Sequence, residues 1–232
     1  MKLFGIDSPL YKTIEWLSNL VKVSVLWSLT GGAAVSFLIQ VFAQGNEIVL
    51  ALSYLPFIMM GPATVACAYI TNQMVEELEG EIAKTFFRVY RENIKKGIPL
   101  GLILLVGLYA IYLDFQYFNN LEEHSFVFLV MGMLGIFIVF MSFIYAFHLM
   151  SRYENTLWKT IRNSYDIATR YFLRTLALFG ILLIEVFVIL WNTTTIFFGL
   201  LGGIGLISYT ISGFAMRFFR EIEKRYEENG EG

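Results

Sequence analysis

The chain has 232 residues, of which 57% are hydrophobic, 17% aromatic and only 16% charged. Together with a mean hydropathy of +0.63, this composition excludes an ordinary soluble domain and predicts an all-α polytopic membrane protein forming a single transmembrane domain over residues 1–232. A formal net charge of −2 leaves no basic field for nucleic acid, and the single cysteine, Cys67, rules out both an intramolecular disulfide and a cysteine-based metal knuckle.

A bilayer core of about 30 Å requires about 20 helical residues. Six stretches reach that length, near residues 17–42, 48–72, 98–118, 126–149, 171–191 and 195–216, followed by a tail over 217–232. The first is too long for a cleavable leader and is expected to be retained. The second carries Pro56 and the pair Gly61-Pro62, and a helix-interior proline removes a hydrogen bond and crowds the preceding turn, so a kink or break is expected there. In the first, Gly31, Gly32, Ala33 and Ala34 permit close helix approach; in the sixth, Gly199 and Gly203 stand one helical turn apart and are candidates for helix packing, within the chain or against a partner.

Positive charge orients the spans. All 17 Lys and Arg residues fall at the amino end, between spans two and three, between spans four and five, or after span six. The opposite connections carry only Glu47, Asp114, Glu122 and Glu123. Cytoplasmic segments retain basic residues, so six spans with both termini in the cytoplasm are predicted. The two basic connections read as amphipathic helices at the membrane boundary. The first places Ile82, Phe86, Val89, Tyr90 and Ile94 opposite Lys84, Arg88, Arg91 and Lys95, with Gly80 ending the helix before it. In the second, Leu157, Ile161, Tyr165 and Ala168 form the apolar side. The segments Thr85–Arg91 and Thr156–Arg162 also resemble each other, as two units of boundary helix plus hairpin would.

Few residues point to chemistry. Glu185, near the middle of span five, is the one acid placed clearly inside a span. A charge there costs about 2.5 kcal/mol or more, so it must face protein or water or be protonated, as a transport site or as a hydrogen-bonded structural acid. Asp114, Glu122, Glu123 and His124 include metal-ligand types, but their spacing matches no established metal loop and a solvated loop is the simpler reading. His148, Arg152 and Glu154 lack a nucleophile and read as an ion pair or helix start at the inner end of span four. Asn192-Thr193-Thr194 fits the glycosylation pattern in a loop lying against the bilayer, where it is discounted. The sequence holds no phosphate loop, no nucleophile elbow and no His-Glu-x-x-His pattern. No enzyme activity, cofactor or metal is expected.

The runs Gly61-Pro62-Ala63-Thr64-Val65-Ala66, Phe86 to Asn93 and Arg152-Tyr153-Glu154-Asn155-Thr156-Leu157 resemble, in order and spacing, the YesL family of bacterial membrane proteins, over about residues 10–218. This chain carries a longer stretch before Gly61-Pro62. The resemblance implies association with oligosaccharide ABC importers in the plasma membrane of Gram-positive bacteria, and no catalytic residues. By the same resemblance Gly61, Pro62, Thr64, Arg88, Arg91, Asn93, Arg152, Glu154 and Asn155 are candidates for structural or docking roles. Gly61 and Pro62 would shape the kink, Arg152 with Glu154 would hold the inner end of span four, and the basic helices would touch a partner or anionic lipid. The function expected is therefore a non-catalytic accessory subunit beside importer permeases, their ATPase and a sugar-binding protein. The alternatives are a stand-alone transporter or channel using Glu185 and the kinked second span, and a membrane sensor or assembly factor. The segment Glu81-Ile82-Ala83 has Phe87 where an importer permease would carry the glycine of its ATPase-docking loop, which argues against the permease itself.

Overall fold

A computed structural model describes residues 9–42, 46–78, 80–120 and 126–228. The segments 43–45 and 121–125 of two expected exterior loops, the latter holding Glu122, Glu123 and His124, lie outside the described residues. Every described element is helical: α1 (Pro9–Thr30), α2 (Ala33–Phe42), α3 (Glu47–Leu52), a 3₁₀ turn (Leu55–Met59), α4 (Met60–Val75), α5 (Ile82–Glu92), α6 (Ile94–Asn120), α7 (Phe126–Phe143), α8 (Ala146–Arg152), α9 (Leu157–Arg170), α10 (Phe172–Leu190), α11 (Thr193–Phe198), a π-helical segment (Gly199–Gly203) and α12 (Ile204–Glu228).

Four helical runs are long and apolar enough to cross a membrane: Leu55–Val75, Ile94–Phe118, Phe126–Arg152 and Phe172–Leu190. They become five if α1 and α2, bent by 55° at their junction, form one broken span. Hydropathy marks six spans, with a break expected only in the second; the first and the sixth are interrupted as well, for two local reasons. In the first, Gly32 adopts φ of +85°, a left-handed conformation that glycine takes without steric penalty. A side chain there would overlap the Pro56 carbonyl, so this glycine both bends the chain and admits the 3₁₀ turn. In the sixth, the π segment at Gly199–Gly203 divides α11 from α12.

The second span is broken, though not at Pro62. Ser53 and Tyr54 form a turn, Pro56 sits in the first turn of the 3₁₀ segment, and Pro62 occupies the first turn of α4, where a proline leaves no helical acceptor unpaired. The helix α4 is the centre of the molecule. Of its apolar window 56% is buried, against 11–17% for the other three long runs, so those three present their leucines and phenylalanines outward, as helices facing lipid do. Around α4, Ala63, Ala66, Cys67 and Ile70 join Val23 of α1, Phe86 and Val89 of α5, Leu100 of α6 and Phe147 of α8 in one core. A second core joins Tyr145, Leu149, Ile167 and Leu178 to Phe218 and Phe219 of α12.

Gly80 does not end α4. The helix stops at a Schellman turn in which Leu78 N–H donates to the Gln73 carbonyl and Glu77 N–H to that of Met74, with Glu77 itself at φ 55°. The apolar face of α5 meets protein, with Phe86 fully buried and Lys84, Arg88 and Arg91 exposed. The buried face of α9 is rotated from the expected one. Thr160, Ser164, Ile167 and Ala168 are buried, whereas Tyr165 is 42% exposed. Small hydroxylated residues face inward because the chain breaks between α7 and α8, and Ser164 Oγ accepts the freed Tyr145 N–H at 3.2 Å. Both α5 and α9 enter the next helix across one non-helical residue, Asn93 (φ −101°, ψ 7°) and Tyr171 (φ −107°, ψ 39°), a shared joint in the two similar segments.

Candidate functional site

The contact between α4 and α6 is glycine on glycine. A Cβ added to Gly61 would overlap the Gly97 carbonyl oxygen, one on Gly97 would lie 2.7 Å from Pro62 N, and one on Gly101 would lie 2.8 Å from Gly61 Cα. Gly61 and Pro62 thus shape a helix crossing rather than a kink. Their partners Gly97 and Gly101 were not singled out in the sequence reading, although their Gly-x-x-x-Gly spacing is the usual signature of such contacts. One turn on, Thr64 Oγ1 accepts the Trp27 indole N–H at 2.9 Å and donates to the Met60 carbonyl at 2.8 Å.

The Gly199 and Gly203 faces meet within the chain. A Cβ on either would press on the Ile189 side chain of α10. Asn192 caps α11, its side chain accepting the Thr195 N–H at 3.0 Å while Thr195 Oγ1 accepts the Asn192 N–H at 2.9 Å, a reciprocal capping box.

Glu185 faces α12. Its Oε1 accepts a hydrogen bond from Thr210 Oγ1 at 2.6 Å, and its Oε2 is buried without a partner. It is not the sole acid within a long helix. Asp114 belongs to α6 rather than to a loop, and its buried Oδ2 lies 2.7 Å from where a Cβ on Gly132 of α7 would stand.

Arg152 does not pair with Glu154, which is exposed. Its guanidinium makes two bonds to Glu223 of α12, Nε–Oε1 at 3.2 Å and Nη2–Oε2 at 3.3 Å, and a third to Glu76 Oε1 at 3.1 Å. Tyr153 O–H also donates to Glu223, and Arg220 stands 3.7 Å from Glu76. This junction ties the end of α4 to α8 and α12. Burial pushes the Glu223 carboxyl up, but hydrogen bonds from Tyr153 and Arg152 and the charges of Arg152 and Arg220 outweigh it and hold the group below its ordinary value of 4.5. Of the remaining motif residues, Arg88 and Arg91 are exposed on α5, and Asn93 caps that helix by donating to the Val89 carbonyl at 2.9 Å. Asn155 lines a groove of about 390 Å³ with Lys159, Asn163 and Arg170 of α9.

Between these features runs a polar seam that no sequence motif marks. Thr71 Oγ1 lies 2.8 Å from both Ser208 and Ser212 of α12. Asn72 Nδ2 donates to Ser151 Oγ at 3.1 Å, and the Gly205 N–H donates to Ser24 Oγ at 2.8 Å. His148, 3% exposed, places Nε2 3.3 Å from the Ser208 carbonyl oxygen. Beside the seam opens a cavity of about 430 Å³ lined mainly by α6, α7 and α12, with α1, α4, α8 and α10 completing its wall.

The described residues form an α-helical protein with several helices able to cross a membrane, outward-facing apolar surfaces and a polar centre, which is the build of a multi-pass membrane protein. Residues 20–115 match the family described as "Protein of unknown function, DUF624", the family that holds the YesL-like proteins, and the first two of the three motifs lie within that stretch. The third motif, at 152–157, lies outside the match. No curated protein and no solved structure matches the chain.

Proposed function

We propose that the protein is a non-catalytic accessory subunit of a carbohydrate ABC importer, lying in the plasma membrane with six crossings and both termini in the cytoplasm. The segregation of all 17 basic residues supports this topology. In it the bent pair α1–α2 supplies the first crossing, and α11, the π segment and α12 supply the sixth.

The observation that carries the docking role is the way α5 and α9 are held. Each fixes one face in the protein core while Lys84, Arg88 and Arg91, or Lys159, Arg162 and Arg170, remain exposed. Cations on rigidly held helices are suited to steering and registering an acidic partner surface. Purification of the tagged chain at native expression in mild detergent should recover two permeases together with a sugar-binding protein or ATPase in stoichiometric amounts through size exclusion. Recovery of the chain alone in more than one detergent overturns the reading.

The buried, unpartnered Oε2 of Glu185 favours the second reading, a stand-alone transporter. As an accessory subunit, the Glu185→Gln variant keeps an acceptor for Thr210, stays within about 1 kcal/mol of wild-type stability and supports near-normal sugar uptake. Abolished uptake with an intact fold would move the function to Glu185.

A further inference from the structure

The groove of about 390 Å³ between α9 and the end of α12 falls in the range of roughly 300–1,000 Å³ typical of small-molecule sites. One wall is a single face of α9, where Lys159, Asn163, Asp166 and Arg170 follow at helical spacings of four, three and four, with Asn155 just before the helix. Leu149, Ile167, Phe219 and Ile222 supply its apolar lining.

The charges of the groove are unevenly committed. Both oxygens of Glu223 are taken by Arg152 and Tyr153, and Asp166 stands 3.8 Å from Arg162, which does not line the groove. Lys159 and Arg170, by contrast, form no ion pair among the described residues, and Asn155 and Asn163 make no side-chain hydrogen bond there. Four donor side chains are free while the carboxylates already have cations. The unmet demand is for an anion with several acceptor oxygens.

Depth selects the kind of anion. Asn155 comes three residues after the end of the apolar run Phe126–Arg152, and Arg170 two residues before the run Phe172–Leu190 begins. The connection joining two consecutive crossings lies on one side of the membrane, so both ends of this wall stand where a span gives way to lipid headgroups. Size excludes a partner helix. At 10–12 Å across, an α-helix fills roughly 400–600 Å³ per turn, so the groove could not seat even one.

We propose that this groove holds the headgroup of an anionic phospholipid, its phosphodiester oxygens accepting from Lys159, Arg170 and the amides of Asn155 and Asn163. A zwitterionic lipid would bring its own cation to a site that already has two, with only Asp166, itself beside Arg162, to meet it. The site goes beyond the docking role, to which it leaves Arg162 and the cations of α5.

The test uses the purified full chain in neutral detergent, titrated with dioleoyl phosphatidylglycerol or dioleoyl phosphatidylcholine and read by native mass spectrometry. The first equivalent of phosphatidylglycerol should bind roughly tenfold tighter, the worth of two solvent-exposed cation–phosphate contacts. Replacing Lys159 and Arg170 together by glutamine should bring it to the phosphatidylcholine level. The pair Lys84→Gln and Arg88→Gln, which removes the same charge from α5, should leave the preference intact. Should the groove double variant fail to fold, Lys159→Gln and Arg170→Gln singly should each weaken phosphatidylglycerol by about threefold. Equal losses from the α5 and α9 variants would show diffuse attraction in place of a site. Phosphatidylglycerol binding no tighter than phosphatidylcholine, or displaced by excess glycerol phosphate, would remove the lipid. Each of these results overturns the proposal, and none touches the importer reading, which is judged by what co-purifies.

Discussion

Gly61→Ala should be, with Gly32→Ala, among the costliest additions of a single methyl group to the protein. The added Cβ would overlap the backbone carbonyl of Gly97, and no side-chain rotation relieves a backbone obstacle. Overpacking usually costs about 1–3 kcal/mol. Here the helices α4 and α6 must move apart along a contact that also seats Gly97 and Gly101, so a loss of roughly 3 kcal/mol or more is expected. The monodisperse fraction in detergent and the thermal midpoint read the effect. Gly180→Ala and Gly213→Ala are the controls, since a Cβ at either meets nothing within 4 Å and alanine is the better helix former by up to about 1 kcal/mol. Gly199→Ala and Gly203→Ala should fall between, because their obstacle is the Ile189 side chain, which can turn aside. A Gly61→Ala protein as stable as the controls would show that the α4–α6 crossing is looser than described.

The contrast among these glycines shows where sequence reading reaches and where it stops. Long apolar runs announce helices because buried backbone must bond within its own segment, and α6 and α10 fall within a few residues of the predicted limits, while the fourth run is divided between α7 and α8. Breaks are harder to see. Gly31-Gly32 reads as a packing pair, yet the positive φ of Gly32 is set by the approach of Pro56, a tertiary fact. The basic-aromatic face of α5 was legible from its period. That of α9 was not, because its inward side is built from Thr160 and Ser164, residues that a hydrophobic template scores as outward. Pairing was least legible. Arg152 has Glu154 two residues away, but a helix end followed by an extended Tyr153 (φ −120°, ψ 140°) turns Glu154 outward. The real partners, Glu76 and Glu223, lie 76 and 71 residues distant. The seam of Thr71, Ser208, Ser212 and His148 escapes for the same reason, since isolated hydroxyls in apolar helices carry no motif.

Arg152→Gln should be the most damaging change of charge. The guanidinium makes three charge-assisted bonds to two carboxylates, each bond of this kind contributing about 1.5–3 kcal/mol when well enclosed. With its side chain 27% exposed and those of Glu76 and Glu223 21% and 37% exposed, solvent screening reduces the sum, and a net loss of roughly 2–3 kcal/mol is expected. Arg152→Lys should recover only part, because an ammonium cannot make the paired bonds to Glu223. Glu154→Gln should change stability by no more than about 0.5 kcal/mol. The junction also sets the response to acid. Glu223 titrates below its ordinary value of 4.5 in the folded protein, so the native state binds fewer protons than the unfolded chain near that pH, and stability falls as pH drops through the lowered value. Thermal midpoints between pH 7 and pH 3 should therefore decline for the parent protein and decline less for Arg152→Gln, which has already lost the arginine that helps depress Glu223. An acid profile unchanged by Arg152→Gln would detach the arginine from Glu223, and with it the tie between α8 and α12 that holds the basic helix α9 in place.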